Sequence, residues 1–142
     1  GFGVKLSNVD SGLSINSLDM QAYVKQTGIC CTISNWQRFA DNSIPARAKI
    51  TGSYVNSALA MEAAQRSGYD DAIMLNNKGY VSEATTSNVF IIKNKTLITP
   101  PLSAHILEGI TRDTVITLAK TQLKLDVYLV YLFGRLLPFH LF

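Results

Sequence analysis

Charge is scarce in this 142-residue chain: Asp, Glu, Lys and Arg make up 16% of it. No lysine or arginine block occurs, and no basic stripe is interleaved with aromatics, so nucleic-acid binding has no positive support despite a net charge of +3. Cysteine is limited to the adjacent pair Cys30 and Cys31, which builds no disulfide framework and fits a reducing, intracellular compartment. No Cys-x-x-Cys is present and the two histidines, His105 and His140, stand far apart, so no metal site is expected. The N-terminus lacks a charged segment followed by an apolar run, which argues against a signal peptide. It also lacks an initiator methionine, so Gly1 is read as an interior point of a longer protein or as a processed end. No repeat or low-complexity tract appears.

What is present suits a folded domain. The composition is 47% hydrophobic, against disorder, and the length suffices for one core. Three regions are expected: a Gly/Ser/Asn-rich linker over 1–27, a domain over 28–127, and an apolar tail over 128–142. Gly28 to Ser34 alternates, with Ile29, Cys31 and Ile33 on one side, as in a strand. A helix is expected from about Gly52 to Ser67. Its apolar stripe is Tyr54, Val55, Ala58, Leu59, Ala60 and Ala63, and Gly68 is its stop. Strands are expected at Asp71 to Leu75, Tyr80 to Glu83, Asn88 to Lys93 and Thr96 to Thr99. Turns fall at 76–79 and at Asn94-Lys95. A second helix runs from about Thr111 to Gln122 with Val115, Leu118 and Ala119 on one face, and a further strand starts at 124–127. The tail Y-L-V-Y-L-F-G-R-L-L-P-F-H-L-F is too short for a membrane span and is interrupted by Arg135 and Pro138. As a free terminus it would be an exposed apolar patch.

Four features suit one chemistry. Lys49 is expected in an apolar setting before the first helix, with Gly52 allowing a tight turn between them. A lysine partly desolvated at the end of an extended segment offers a free amine as nucleophile toward a carbonyl. Tyr54 follows one turn into the helix, so its phenol is in reach of whatever Lys49 holds. Glu83, among the small residues of Y-V-S-E-A-T-T-S-N, can pair with a buried cationic nitrogen. The run L-E-G-I-T-R puts Gly109, Ile110 and Thr111 at a helix start, where free N–H groups, the dipole and a hydroxyl suit a phosphate. Lysine, phenol, carboxylate and helix start together are what pyridoxal phosphate requires. Each also has a plainer reading: Tyr54 as a core aromatic, Glu83 as a solvated turn residue, Thr111 as a helix cap.

At these residues the chain resembles the branched-chain amino-acid aminotransferases, pyridoxal-phosphate enzymes of fold type IV. The matching segments are S-N-W-Q-R around Trp36, I-P-A-R-A-K-I-T-G-S-Y from Ile44, G-Y-D-D-A-I-M-L from Gly68, G-Y-V-S-E-A-T-T-S-N-V-F from Gly79, T-P-P from Thr99 and I-L-E-G-I-T-R-D from Ile106. The resemblance implies a partial large domain of α/β (α+β) class, a barrel-like sheet flanked by helices. It makes Lys49 the catalytic lysine that bonds the cofactor and shuttles the proton. Glu83 would bind the pyridine nitrogen and Tyr54 the ring hydroxyl, with Arg38 and Asn88 supporting the tyrosine. Leu107 would pack on the ring, and Ile110 and Thr111 would hold the phosphate. Implied too are a cytoplasmic homo-oligomer, amino-acid and 2-oxo-acid substrates, no nucleic-acid or membrane partner, and transfer of the amino group of leucine, isoleucine or valine to 2-oxoglutarate.

Three departures stand beside the match. Ala84 follows the glutamate where the family often has glycine. The family's smaller N-terminal domain and its later Gly-Thr loop are not recognisable here, and the change of character near Val127 has the look of truncation or a shifted frame. The alternatives are a fold-type IV lyase such as aminodeoxychorismate lyase, a D-amino-acid transaminase, or a catalytically silent fragment.

Overall fold

The computed structural model describes residues 4, 7–20, 25 and 27–134. Among the described residues six strands and two helices form a mixed α/β arrangement. In chain order they are β1 (Cys31–Ile33), α1 (Tyr54–Arg66), β2 (Asp71–Leu75), β3 (Val81–Ala84), β4 (Ile91–Lys93), β5 (Thr96–Thr99), α2 (Ile110–Thr121) and β6 (Asp126–Leu129). Short 3-10 turns at Thr51–Ser53 and Leu102–Ala104 precede the helices. Two three-stranded sheets result, ordered β1-β2-β3 and β4-β5-β6. Each contains one parallel pair and one antiparallel pair. Both parallel pairs are bridged by a helix, α1 between β1 and β2 and α2 between β5 and β6, because parallel neighbours need a long crossover.

The turns explain the antiparallel pairs. At the 76–79 turn the buried Asn76 accepts from the Lys78 and Tyr80 amides, and Gly79 takes a φ of 78° that side chains resist. At the second turn Asn94 and Lys95 both adopt positive φ. Helix α1 ends as expected: Gly68 sits at φ 82°, and the Gly68 and Tyr69 amides return to Gln65 and Ala64.

The core gathers Ile73, Val81, Ala84 and Val89, with Cys31, Ile33, Leu75 and Leu132 packed against it. Burial of Ile73 and Val81 contributes on the order of 1.5–3 kcal/mol each. Strand β2 is covered on both faces, and α1 packs on it. The buried face of α1 is Ser57, Ala60 and Ala64; of the expected apolar stripe only Ala60 is buried, and Val55 and Leu59 are exposed. Small side chains let the helix lie close to the sheet, and that closeness outweighs side-chain hydrophobicity in choosing the face. On α2 the expected face is also only partly inside: Ala119 is buried, whereas Leu118 is exposed.

Residues 7–20 are exposed and without regular structure. Part of the 20–25 segment, and 135–142 of the tail, lie outside the described residues. Residues 128–134 are not a loose terminus. Tyr128 and Leu129 complete β6, and Val130 donates to Thr99 O. The chain then crosses to the first sheet, where Leu132 O accepts from Val81 and the Gly134 amide donates to Gly79 O. The Tyr80 ring lies 4.8 Å from that of Tyr131 and 4.6 Å from that of Phe133. This segment ties the two sheets together. No helix among the described residues is long and apolar enough to cross a membrane.

Candidate active site

The loop after β1, the start of α1, the end of β3 and the start of α2 meet around one cleft. Its inner part, a hollow of about 40 Å³, is lined by Arg38, Lys49, Tyr54, Glu83, Asn88 and Leu107, with Ser53 and Ser57 of the α1 region. Its outer part, about 700 Å³, lies along the first turn of α2 and is lined by Ile110, Thr111 and Arg112. Lys49, Thr86, Asn88 and Leu107 line both, so the two adjoin. Of the eight residues expected from the sequence to serve a site, six line the inner hollow, and Ile110 and Thr111 line the outer part. Thr86, Ser57 and Arg47 were not singled out. Ser57 was legible, since it lies three residues beyond Tyr54 on one helix face. Thr86 and Arg47 carried no such signal.

Glu83 is the floor. It is 5% exposed on a fully buried strand, not a solvated turn residue. Its Oε1 lies 2.7 Å from Arg38 Nη2, itself buried and stacked 4.4 Å over the Phe39 ring. Its Oε2 accepts from Asn88 Nδ2 at 3.1 Å and from the Leu107 amide at 3.0 Å. Burial pushes the carboxyl above its ordinary range, against the pull of Arg38 and the Leu107 amide. Oε2 already accepts two donors, while Oε1, with Arg38 alone, retains acceptor capacity for one more donor from the cleft. Arg38 and Asn88 thus hold Glu83, and among the described residues neither is hydrogen-bonded to Tyr54, with which they share the hollow.

Lys49 is exposed, so the desolvated apolar setting expected for it is corrected as well: its neighbours in the cleft are largely polar. Gly52 has an ordinary φ and open space at its Cβ position, so the turn there does not depend on glycine. Tyr54 is 38% exposed and stands in the same hollow. The α2 start has Gly109 as its N-cap, with no side-chain hydrogen bond; Thr111 does not cap it. Beside it, buried Arg112 donates from Nη2 to Pro100 O at 3.0 Å, and its Nε has no partner. The cysteines stay outside the chemistry: burial pushes the Cys31 thiol up to about 11, away from a reactive thiolate.

This donor set fits a pyridoxal phosphate. A buried carboxylate with spare acceptor capacity suits a ring nitrogen, an accessible amine suits an aldehyde, and an uncapped helix start beside Arg112 suits a phosphate.

A mixed α/β framework that collects these groups at the ends of strands and the starts of helices defines a small-molecule-binding domain. The chain belongs to the class IV amino-transferases, whose family model matches residues 1–128. It is 57% identical over 100 residues to a probable branched-chain-amino-acid aminotransferase of Aquifex aeolicus, covering 70% of this chain and 32% of that one. Among solved structures it resembles a branched-chain aminotransferase from Thermoproteus uzoniensis with norvaline (TM-score 0.80, 39% identity, 83% of this chain and 39% of that one). It also resembles the PLP-form of a branched-chain amino acid aminotransferase from Thermobaculum terrenum (TM-score 0.74, 41% identity, 75% and 35%). The chain spans about a third of the length of such relatives.

Proposed function

We propose that this chain is part of a pyridoxal 5′-phosphate-dependent aminotransferase that moves the amino group of leucine, isoleucine or valine to 2-oxoglutarate. The observation that carries the reading is the single cleft with Lys49, Glu83 and the uncapped start of α2 on its walls. The substrate class rests on the names of the relatives. Pyridoxal phosphate, when bound, supplies an electron sink and a carrier for the amino group.

Each residue has a task in this reading. Glu83 accepts the ring nitrogen's N–H and holds the positive charge there, with Arg38 keeping its carboxylate in place. Lys49 would hold the cofactor through its amine and would take up and return a proton at Nζ. Tyr54 donates its phenol to the ring oxygen. Leu107 covers a ring face and excludes water. The Ile110 and Thr111 amides and the Thr111 hydroxyl meet the phosphate, where the α2 dipole favours negative charge. The grip on the substrate carboxylate is assigned to parts of the protein beyond the third that this chain spans. The whole protein is assigned to the cytoplasm, as a homo-oligomer in branched-chain amino-acid biosynthesis.

The test is an absorbance spectrum of the chain with pyridoxal phosphate, before and after borohydride, beside Lys49→Ala. The expected result is a band that reduction fixes covalently on Lys49 and that the variant lacks. A folded, soluble sample without such a band, or a variant that keeps it, overturns the assignment. Glutamate formation from leucine and 2-oxoglutarate by the longer protein then tests the substrate class.

A further inference from the structure

Asn88 touches both ends of the cleft. Its Nδ2 donates to Glu83 Oε2 at 3.1 Å and to Leu107 O at 3.0 Å. The Leu107 amide donates to the same Glu83 oxygen, and the Gly109 amide donates back to Leu107 O. Carboxylate, carboxamide and the segment leading into α2 thus form one closed network. The other face of the carboxamide decides what can stand at position 109. A Cβ built on Gly109 would collide with Asn88 Oδ1. The backbone there, at φ −71° and ψ 136°, is open to any residue. Space, not conformation, therefore disfavours a side chain here for as long as Asn88 keeps its hydrogen bonds to Glu83 and Leu107.

That restriction has a chemical result. An N-cap is ordinarily Ser, Thr, Asp or Asn, whose oxygen satisfies a first-turn amide and contributes about 1 kcal/mol. Asn88 excludes such a side chain, so the first amides of α2 are left for an outside acceptor. We propose that Asn88, seated against Gly109, is a positioning residue that sets the distance between the Glu83 carboxylate and the bare start of α2. It thereby matches the cleft to a ligand carrying both a ring nitrogen and a phosphate. This rests on the reading of the cleft as a pyridoxal-phosphate site and adds the device that spaces its two ends.

The experiment measures equilibrium affinities of the full chain for pyridoxal phosphate and for pyridoxal, which lacks the phosphate. The proteins are the natural chain, Asn88→Ala, Gly109→Ala and the double variant. In Asn88→Ala the affinity for pyridoxal phosphate falls about tenfold or more, because the ring nitrogen and the phosphate are no longer both met, at the scale of a hydrogen bond to a charged group. Pyridoxal, which meets Glu83 but not the helix, loses several-fold less affinity than pyridoxal phosphate. In Gly109→Ala the new methyl displaces the Asn88 carboxamide and gives the same selective loss, which keeps the test decisive if Asn88→Ala does not fold. The double variant is no weaker than the weaker single, since both act through one contact. Equal loss for the two ligands, or additive losses, overturns the proposal and leaves the cofactor assignment standing. No borohydride-fixed adduct on Lys49 of the natural chain overturns both.

Discussion

Replacing Arg38 with methionine removes the buried partner of Glu83 while keeping most of the apolar stem. The pair is 2.7 Å apart, with side chains 8% and 6% exposed, so solvent screens it little. At neutral pH the variant buries an unpaired carboxylate, and the expected cost is about 3–5 kcal/mol. That is a large part of the roughly 5–15 kcal/mol a domain has in total. The cost depends on pH. Folding already raises the Glu83 pKa above 4.5 in the natural chain, so the folded state binds more protons and stability falls as pH rises from that value. Without Arg38 the carboxyl rises further, and the fall is steeper and continues to higher pH. Near pH 4.5 the carboxyl is protonated in the folded variant, and the difference shrinks to the lost contact with Phe39, about 0.5–1 kcal/mol. Urea unfolding followed by circular dichroism from pH 4.5 to neutrality measures this. Adding Glu83→Gln restores most of the loss at neutral pH. A cost that is the same at both ends of the range refutes the reasoning, because it would mean that Glu83 carries no unpaired charge in the variant.

Two further substitutions probe the frame around the site. Thr85→Val keeps the shape of a buried side chain but removes its 2.7 Å bond to Asp71 Oδ1. The expected loss is about 1.5–3 kcal/mol, read as a lower urea midpoint at unchanged slope. Gly68→Ala forces a side chain into a φ of 82° and costs about 1–2 kcal/mol, read as a lower melting temperature, with no effect at the cleft.

Much of the frame was legible because local signals agreed. Strands β2 and β5 coincide with their apolar runs, and Gly79 and Asn94 are residues suited to the positive φ of their turns, although Lys95 takes a positive φ without that preference. Only Ala60 of the buried α1 face was legible: Ser57 and Ala64 are buried with it because the helix packs on β2, a long-range fact that hydrophobic spacing does not encode. The tail was half legible: Tyr128, Leu129, Val130, Tyr131 and Phe133 stay exposed, as its apolar run suggests, but the backbone bonds that join Val130, Leu132 and Gly134 to Thr99, Val81 and Gly79, far away in the chain, do not show in the sequence. At the site, residue types and order located the cleft, but not who holds whom. Arg38 and Asn88 turn to Glu83 because a buried carboxylate is the most demanding neighbour available, and its three donors are visible only once β3 and the segment before α2 lie side by side.

The two helical crossovers begin at the same place. Ser53 and Tyr54 at the head of α1 line the inner hollow, and Ile110 and Thr111 at the head of α2 line the outer one. Both helices therefore present their positive ends to one opening, already edged by Arg47, Lys49 and Arg112. Glu108 and the buried Glu83 offset part of that positive charge, and if the proposed anionic ligands are steered by what remains, their capture is expected to be fastest in dilute salt and to slow as added ions shorten the reach of the field.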